Sequence, residues 1–321
     1  MDKIRVAIIG CGGIGSGAHA PAYVANADLC ELVACADVDR AAAERLAEKN
    51  HCQAYGDVAA MLDAERPDAV SICTPPVGHL PSVRLAAERD IAILCEKPMT
   101  RDLPEANEMV ALVEETGVTF MTAFCHRFHG PVRLLKGLID AGKLGTVIQY
   151  YNRFSGLFAN VEQRWFSQAE IAGGGNLMDT TVHSIDLFRF LVGEVRAISA
   201  QTRTVLPISV EDTATLLLRS EGDVLGEMSC SWVTQPGEAV IRVYGTEGTA
   251  EIDYGADPSL RYWNNGTWVE VPWSGPDRFT SEVRHFLECL RDHQTPSITV
   301  HDGARAIALL DAAYRSADRR V

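Results

Sequence analysis

The first 123 residues alternate between short apolar runs and helix-forming segments, and this alternation constrains the fold more than any other feature. The apolar runs have the length and composition of strands buried on both faces. They are Ile4–Ile9, Leu32–Ala36, Ala69–Cys73, Ile91–Cys95 and Val118–Ala123. Several of the intervening segments are rich in Ala, Glu, Arg and Lys, which favour helix. Strands that alternate with helices predict an α/β fold with a doubly wound parallel sheet.

Two single residues place helix boundaries in this region. Asp57 stands before the apolar helical stretch Val58–Ala64 and is predicted to be its N-cap. Gly117 follows Glu105–Thr116, where a glycine can adopt the left-handed conformation that ends a helix.

From about residue 145 the pattern changes to strand-like segments that follow one another through short turns. Asn265-Gly266, between two aromatic segments, is a strong hairpin signal because both residues tolerate positive φ. Successive strands joined this way predict a mainly antiparallel sheet with one face covered by helices. The predicted helices are Pro131–Ala141, Asn176–Leu191, Thr280–Asp292 and Asp302–Ser316. We therefore predict an α+β domain over residues 124–321, after a first domain over 1–123.

Composition excludes several classes of protein. A length of 321 residues favours two domains, and 29 basic against 43 acidic residues give a net charge of −14. Such a surface repels nucleic acid and anionic membranes. The chain contains no apolar stretch of the roughly 18 residues that a membrane span needs, and its start does not resemble a signal peptide. The nine cysteines are scattered without CxxC pairs. We therefore expect reduced thiols in a cytoplasmic protein and no metal site. The alternative is a disulfide framework or a structural zinc.

A glycine-rich turn follows the first predicted strand. It has the GxGxxG spacing and is the sequence Gly10-Cys11-Gly12-Gly13-Ile14-Gly15. In a strand–turn–helix unit, such glycines let a pyrophosphate approach backbone amides, here those of Gly10, Gly12, Gly13 and Ile14. Asp37 ends the second strand, where a carboxylate binds ribose hydroxyls. The pattern predicts a dinucleotide site, against the alternative of a plain turn with a solvated aspartate.

Asp37 also bears on the choice of cofactor. A carboxylate at this position repels a 2′-phosphate, so we expect NAD. Arg40 lies close by in the sequence, so NADP stays possible.

Three further motifs complete a recognisable set. They are Thr74-Pro75-Pro76-Val77-Gly78-His79, Glu96-Lys97-Pro98, and a glycine-rich segment that runs from Gly173 through Asp179 and His183 to Asp186. In this order and at these spacings, the chain resembles the glucose–fructose oxidoreductase / inositol dehydrogenase (Gfo/Idh/MocA) family nearly end to end.

The resemblance implies a Rossmann domain, then a domain with a large, mainly antiparallel open sheet, and a homodimer or homotetramer formed through that sheet. It implies NAD(P)-linked chemistry on small polyhydroxylated substrates such as sugars and cyclitols. By motif, Lys97, Asp179 and His183 are the catalytic residues and also contact substrate. Residues on cofactor-contact segments are Thr74, Pro75, His79 and Glu96. Arg127 and Trp165 are further candidates for substrate contact.

These residue types suit the oxidation of an alcohol. The hydroxyl proton must reach a base and the developing charge on oxygen must be stabilised. Asp179 and His183, four residues apart on a predicted helix, share one face, so the carboxylate can orient the imidazole. Lys97 ends a parallel strand, at the edge of the sheet where such folds bind ligands. Either Lys97 or His183 is the final proton acceptor. Asp179 and His183 could alternatively be metal ligands, but the sequence indicates no third ligand.

The main hypothesis is an NAD-dependent oxidoreductase that acts on a secondary alcohol or carbonyl of a sugar or cyclitol. One alternative is an NAD-requiring glycosidase that oxidises its sugar only transiently. Another is a regulator that senses NAD or sugar without catalysis, against which the retained Lys97, Asp179 and His183 argue.

Overall fold

The computed structural model describes residues 3–318, which form two compact units. The first unit comprises the chain up to Cys125 together with Asp277–Arg305. The second comprises His126–Pro276 and the chain from Ala306 onward. The first break lies close to the predicted boundary between residues 123 and 124. The return of residues 277–305 to the first unit differs from the prediction of two consecutive domains.

The helix of residues 278–291, predicted in the second domain, has its partners in the first unit. The side-chain amide of Asn26 donates to the carbonyl oxygen of Thr280 at 3.0 Å. Arg284 donates to the Asp28 carboxylate at 2.6 Å. Sequence patterns show that a helix is amphipathic but do not identify the surface that its apolar face covers, so they could not assign this helix to the first unit.

The first unit is built on a six-stranded parallel sheet in the order β3-β2-β1-β4-β5-β6. The strands are β1 (Ile4–Ile9), β2 (Cys30–Ala36), β3 (Gln53–Tyr55), β4 (Ala69–Ile72), β5 (Ala92–Glu96) and β6 (Phe120–Ala123). The α-helices before residue 126 are α1 (Ala20–Ala25), α2 (Arg40–Asn50), α3 (Val58–Glu65), α4 (His79–Ala87) and α5 (Leu103–Thr116). The strand order reverses at β1 and β4, whose carboxyl ends are where an open parallel sheet binds its ligand.

Both predicted helix boundaries are confirmed. The Asp57 carboxylate accepts the backbone N–H of Ala60 at 2.7 Å, as an N-cap does. Gly117 has a φ of +68°, the left-handed conformation that stops α5. The short edge strand β3 was not predicted, because its three residues carry no distinguishing pattern.

The second unit contains an eight-stranded sheet in the order β14-β13-β12-β11-β7-β10-β9-β8. The strands are β7 (Val147–Leu157), β8 (Val195–Arg203), β9 (Thr213–Ser220), β10 (Leu225–Ser231), β11 (Val233–Gly245), β12 (Thr249–Asp253), β13 (Leu260–Asn264) and β14 (Thr267–Val271). All neighbouring pairs are antiparallel except β7 and β10, which are parallel. The predicted α/β fold with a mainly antiparallel second sheet is confirmed.

The remaining helices are α6 (Gly130–Asp140), α7 (Ala169–Ala172), α8 (Val182–Val192), α9 (Arg278–Arg291) and α10 (Val300–Ala317). Helix α8 packs on β7, where the Phe188 ring meets Tyr150 edge-on at 5.3 Å between centroids. A Cβ on Gly226 would lie 2.6 Å from the Phe188 ring, so a glycine is needed there. Phe188 is fully buried, which contributes about 1.5–3 kcal/mol. This packing fixes the helix that carries His183.

Within residues 3–318, no helix combines the length and the apolarity required to cross a membrane.

Candidate active site

The glycine-rich turn lies where the strand order of the first sheet reverses. Gly10 has a φ of +97°, and a Cβ there would stand 2.6 Å from the backbone of Cys73 and Thr74. Only glycine fits, because the ends of β1 and β4 approach each other at this residue. The turn is therefore held against the segment that begins at Thr74.

The middle of the turn has room for a ligand. Gly12 and Gly13 are exposed, and a Cβ on either would meet no protein atom within 4 Å. Ile14 leads into a π-helical turn, Gly15–His19, which continues into α1. Open backbone at the start of a helical segment fits a pyrophosphate, as the sequence predicted for this turn.

Asp37 lies beside this turn with its carboxylate fixed in place. Its Oδ2 accepts the backbone N–H of Cys11 at 2.7 Å, and its Oδ1 accepts that of Asp39 at 2.8 Å. The side chain is half-buried. Each carboxylate oxygen has a second lone pair, so Asp37 can still accept hydrogen bonds from ribose hydroxyls. The residues of the turn and Asp37 fit a dinucleotide.

Thr74 and Pro75 are half-buried at the end of β4, whereas the side chain of His79 is fully buried. The ring nitrogens of His79 face the carbonyl oxygens of Thr74 at 2.9 Å and Met99 at 3.2 Å. Burial lowers its pKa, so the ring is neutral and donates to one carbonyl, the nearer being that of Thr74. The His79 side chain thus supports the Thr74 segment from inside, and its place on a cofactor-contact segment stays a prediction.

Glu96 and Lys97 end β5 at the same edge of the sheet. Glu96 is only 4% exposed; one carboxylate oxygen lies 3.0 Å from Nε2 of His19 and the other accepts the backbone N–H of Lys97 at 3.0 Å. Burial raises the pKa of Glu96, but the hydrogen bond from His19 and the charge of Lys97 lower it by more, so it lies below its ordinary value. The Glu96 side chain is hydrogen-bonded inside the protein, and its place on a cofactor-contact segment stays a prediction. Lys97 is half-buried.

In the second unit, Asp179 lies in a π-helical turn, Leu177–Thr181, and His183 lies in the first turn of α8. The sequence predicted one continuous helix from residue 176; a π-turn instead precedes α8, a feature that is frequent at functional sites. Both side chains are half-buried. The four-residue spacing of Asp179 and His183 therefore spans the junction of two helix types.

Glu211 anchors the start of this segment. Its Oε1 accepts the backbone N–H of Leu177 at 2.8 Å and the hydroxyl of Tyr314 at 2.9 Å. Burial raises the pKa of Glu211 in spite of these bonds. A Cβ on Gly175 would lie 1.9 Å from the carbonyl oxygen of Glu211, which explains a glycine in the motif.

A cluster of aromatic rings reaches His183 through His126, and the sequence did not predict it. The His126 ring lies 4.5 Å from that of His183, and its Nδ1 is 2.9 Å from the hydroxyl of Tyr254. The Tyr254 ring stacks on His129 at 4.5 Å and meets Phe154 edge-on at 5.5 Å. The only sequence signal was the pair of histidines that flanks Arg127-Phe128.

Arg127 is paired within the protein, and its predicted contact with substrate stays a prediction. Its Nε and Nη2 donate to the Asp186 carboxylate at distances between 2.6 and 3.1 Å. Its guanidinium also lies 5.4 Å from the centre of the Phe190 ring. Since Asp186 follows His183 by three residues on α8, this ion pair fixes the helix face next to the candidate base.

Replacing Asp186 by alanine should destabilise the protein by about 3–5 kcal/mol, because Arg127 would keep its charge in a site where it is only 12% exposed. Urea denaturation measures this. Asp63→Ala removes an exposed carboxylate 2.8 Å from Arg89 and should leave the unfolding midpoint almost unchanged. Equal midpoints for both variants would refute a buried pair.

Trp165, the other candidate for substrate contact, stacks on Phe166 with 3.7 Å between ring centres. Phe166 packs on a small apolar cluster around Val161, Val210 and Trp232. The indole N–H of Trp232 donates to the Thr180 hydroxyl at 3.1 Å, next to Asp179 in sequence. Through Phe166, Trp165 therefore belongs with the apolar cluster of Val161, Val210 and Trp232.

Comparison with known proteins gives matches over both units. Residues 4–124 match a family model described as "Oxidoreductase family, NAD-binding Rossmann fold". Residues 132–251 match the "GFO/IDH/MocA C-terminal domain".

Similar proteins extend over nearly the whole chain. A D-apiose dehydrogenase from Paraburkholderia graminis is 31% identical, over 99% of this chain and 88% of the relative. D-xylose 1-dehydrogenase (NADP(+)) 2 from Haloferax volcanii is 29% identical, over 97% of this chain and 96% of the relative. A solved levoglucosan dehydrogenase, in complex with NADH and levoglucosan, has a TM-score of 0.92 at 24% identity, over 98% of this chain and 97% of that one. This last likeness shows a shared fold.

Proposed function

The chain belongs to the Gfo/Idh/MocA oxidoreductase family, as its motifs predicted, and we propose that it is an NAD-dependent dehydrogenase of small sugars or cyclitols. The observation that carries this proposal is the exposed glycine turn with Asp37 fixed beside it. That arrangement fits a dinucleotide, and relatives of similar length are named as sugar dehydrogenases. The oxidised group is a hydroxyl on a polyhydroxylated ring or chain.

When bound, the nicotinamide supplies the two-electron redox chemistry. The residues of the chain supply the acid–base and electrostatic parts. Lys97 binds the substrate oxygen and stabilises the negative charge that develops there. His183 takes the hydroxyl proton, which suits an imidazole at neutral pH, and Asp179 orients it. His126, held by Tyr254, lies against His183 and limits how its ring can move.

The experiment that tests this function is a panel of purified sugars and cyclitols with NAD or NADP, followed by absorbance of the reduced cofactor. The panel includes D-apiose, D-xylose, levoglucosan and myo-inositol. Reduction of NAD with at least one member is expected. No reduction of either cofactor across the panel would argue against the proposal.

We expect Asp37→Asn to lower kcat/KM with NAD and to raise the NADP-to-NAD ratio of kcat/KM by about tenfold, equivalent to about 1.4 kcal/mol. The amide oxygen can keep one of the two backbone hydrogen bonds of Asp37, the other acceptor is lost, and so is the charge that repels a 2′-phosphate. Initial rates with both cofactors measure the ratio. Asp39→Asn is the matched control: Asp39 is exposed and caps α2 by accepting the N–H of Ala41 at 3.0 Å. An equal change in both variants would show that Asp37 does not select the cofactor.

We also propose that the outer face of the second sheet joins copies of the chain into a homodimer or homotetramer. Leu217 on β9 and Leu225 on β10 are 60% and 55% exposed on that face. A sheet face with such residues favours a protein partner over water. Sedimentation velocity measures the assembly.

The cysteines support a cytoplasmic location. All nine are free thiols, which persist in a reducing compartment. We propose that the enzyme works there.

A further inference from the structure

A chain of buried polar groups runs through the first unit and ends at Lys97. The hydroxyl of Tyr23 is 2.7 Å from the Ser71 hydroxyl, which is 3.0 Å from Nδ1 of His19. Nε2 of His19 is 3.0 Å from Glu96, and Glu96 accepts the backbone N–H of Lys97. Tyr23, Ser71, His19 and Glu96 are all at most 4% exposed. Buried groups in such a chain stabilise one arrangement only when every member has a partner.

The direction of each hydrogen bond follows from Glu96. Its carboxylate is ionised and only accepts, so Nε2 of His19 carries the proton and donates. Nδ1 is then the acceptor of a hydrogen bond that the Ser71 hydroxyl donates. Ser71 in turn accepts from Tyr23. One set of donors and acceptors therefore satisfies every member from Tyr23 to Glu96.

This chain of hydrogen bonds fixes the positions of its side chains and does not conduct protons. Its far end, Tyr23, is 1% exposed, and burial raises its pKa far above the ordinary value. Tyr23 therefore keeps its proton at neutral pH, so a proton that entered at Lys97 would have no exit through it. The remaining role for the chain is to fix the atoms at its other end.

These hydrogen bonds connect two parts of the first unit that the proposed reaction uses, the glycine turn with its helical segment and the end of β5. His19 ends the π-helical turn that follows the glycine turn, Ser71 lies on β4 and Glu96 ends β5. The imidazole of His19 thus links the helical segment behind the cofactor turn to the residue before Lys97. A shift of either segment would break a buried hydrogen bond to an ionised carboxylate, which costs more than a bond between neutral groups.

We propose that His19 is a positioning residue for Lys97, acting through the Glu96 carboxylate. This inference rests on the proposed function, because it assigns His19 a role in placing the ammonium that stabilises the substrate oxygen. Without the imidazole, Glu96 loses its buried donor and the backbone at Lys97 loses a fixed acceptor. A displacement of about 1 Å at a catalytic group can cost about a hundredfold in rate.

The kinetic test compares His19→Leu with His19→Gln, whose amide can still donate to Glu96. We expect His19→Leu to lower kcat by about 30–100-fold and His19→Gln to recover most of that loss, with the Kd for NAD changed less than about threefold in both. His301→Leu, at a histidine that is 63% exposed and outside this hydrogen-bonded chain, is the control and should stay close to wild type. Equal losses in the leucine and glutamine variants would overturn the proposal.

A double-mutant cycle separates positioning from a general loss of structure. If His19 acts through Lys97, His19→Leu should lower kcat no further in a Lys97→Met background. A drop of the same factor in both backgrounds would mean that His19 acts independently of Lys97, and would also overturn the proposal.

A readout that does not need activity keeps this test distinct from the test of the function. Lysines are dimethylated with 13C-formaldehyde, and the Lys97 signal is identified by its absence in Lys97→Met. In His19→Leu this signal should move towards the position of exposed lysines and sharpen, whereas in His19→Gln it should stay at the wild-type position. An unchanged signal in His19→Leu would contradict positioning. If no sugar is oxidised by the wild type, the proposed function fails, and this measurement still decides the role of His19.

Discussion

Lys97→Met is expected to lower kcat by about a thousandfold, within the range for loss of an electrostatic or acid–base group, while NAD binds as in the wild type. Methionine keeps an unbranched apolar stem but has no ammonium to stabilise the developing charge on the substrate oxygen. The backbone N–H of residue 97 is retained, so the Glu96 contact at 3.0 Å should survive. Steady-state kinetics with a saturating sugar measure the effect.

The control for this variant is Lys49→Met. Lys49 is an exposed residue near the end of α2, so its replacement should leave kcat within about twofold of wild type. Titration of NAD by calorimetry separates lost chemistry from lost cofactor. Full turnover in Lys97→Met would remove Lys97 from the mechanism.

His183→Asn is expected to lower kcat by about a hundredfold to ten-thousandfold, the range for a general base. Asparagine can still hydrogen-bond from this position but cannot accept a proton at neutral pH. We expect the loss to appear mainly in kcat, because the group acts on the proton that leaves during the reaction. The melting temperature should change little, since His183 is half-buried and Phe188 still packs α8 on the sheet.

His301→Asn provides the matched control for this substitution. The His301 side chain is 63% exposed on α10, and its replacement should leave kcat unchanged. The pH dependence of the rate adds a second criterion: a limb of the wild-type profile that belongs to His183 should disappear in His183→Asn and persist in His301→Asn. If both profiles keep that limb, another group accepts the proton.

The sequence predicted those parts of the fold that depend on neighbouring residues. Asp57 and Gly117 set helix ends through contacts within a few residues, and both are confirmed. The parallel pairing of β7 with β10 was not predicted, because successive strands with short turns suggest antiparallel neighbours. The return of α9 to the first unit depends on a surface some 250 residues away in the chain, as the contact of Asn26 with Thr280 shows.

The same distinction between local and distant contacts applies to the candidate site. Local patterns predicted Asp37 and the glycine turn, because strand, turn and charge are adjacent in sequence, whereas the role of Lys97 was implied by the family resemblance. The partners of these residues were not predictable, since each pair joins distant segments: His19 with Glu96 is separated by 77 residues and His126 with Tyr254 by 128. The ion pair of Arg127 with Asp186, 59 residues on, was likewise not predictable from the sequence.

The central claim is that the enzyme moves a hydride between a sugar or cyclitol and NAD, with net oxidation of the substrate. A substrate found in the panel is prepared with deuterium on the carbon that is oxidised and incubated with NAD and the wild-type enzyme, and the reduced cofactor is analysed by mass spectrometry. We predict one deuterium in the NADH, one NADH for each substrate molecule oxidised, and no labelled NADH within the same time with Lys97→Met. Consumption of the labelled substrate without deuterium in the cofactor, or without net NADH, would contradict the claim.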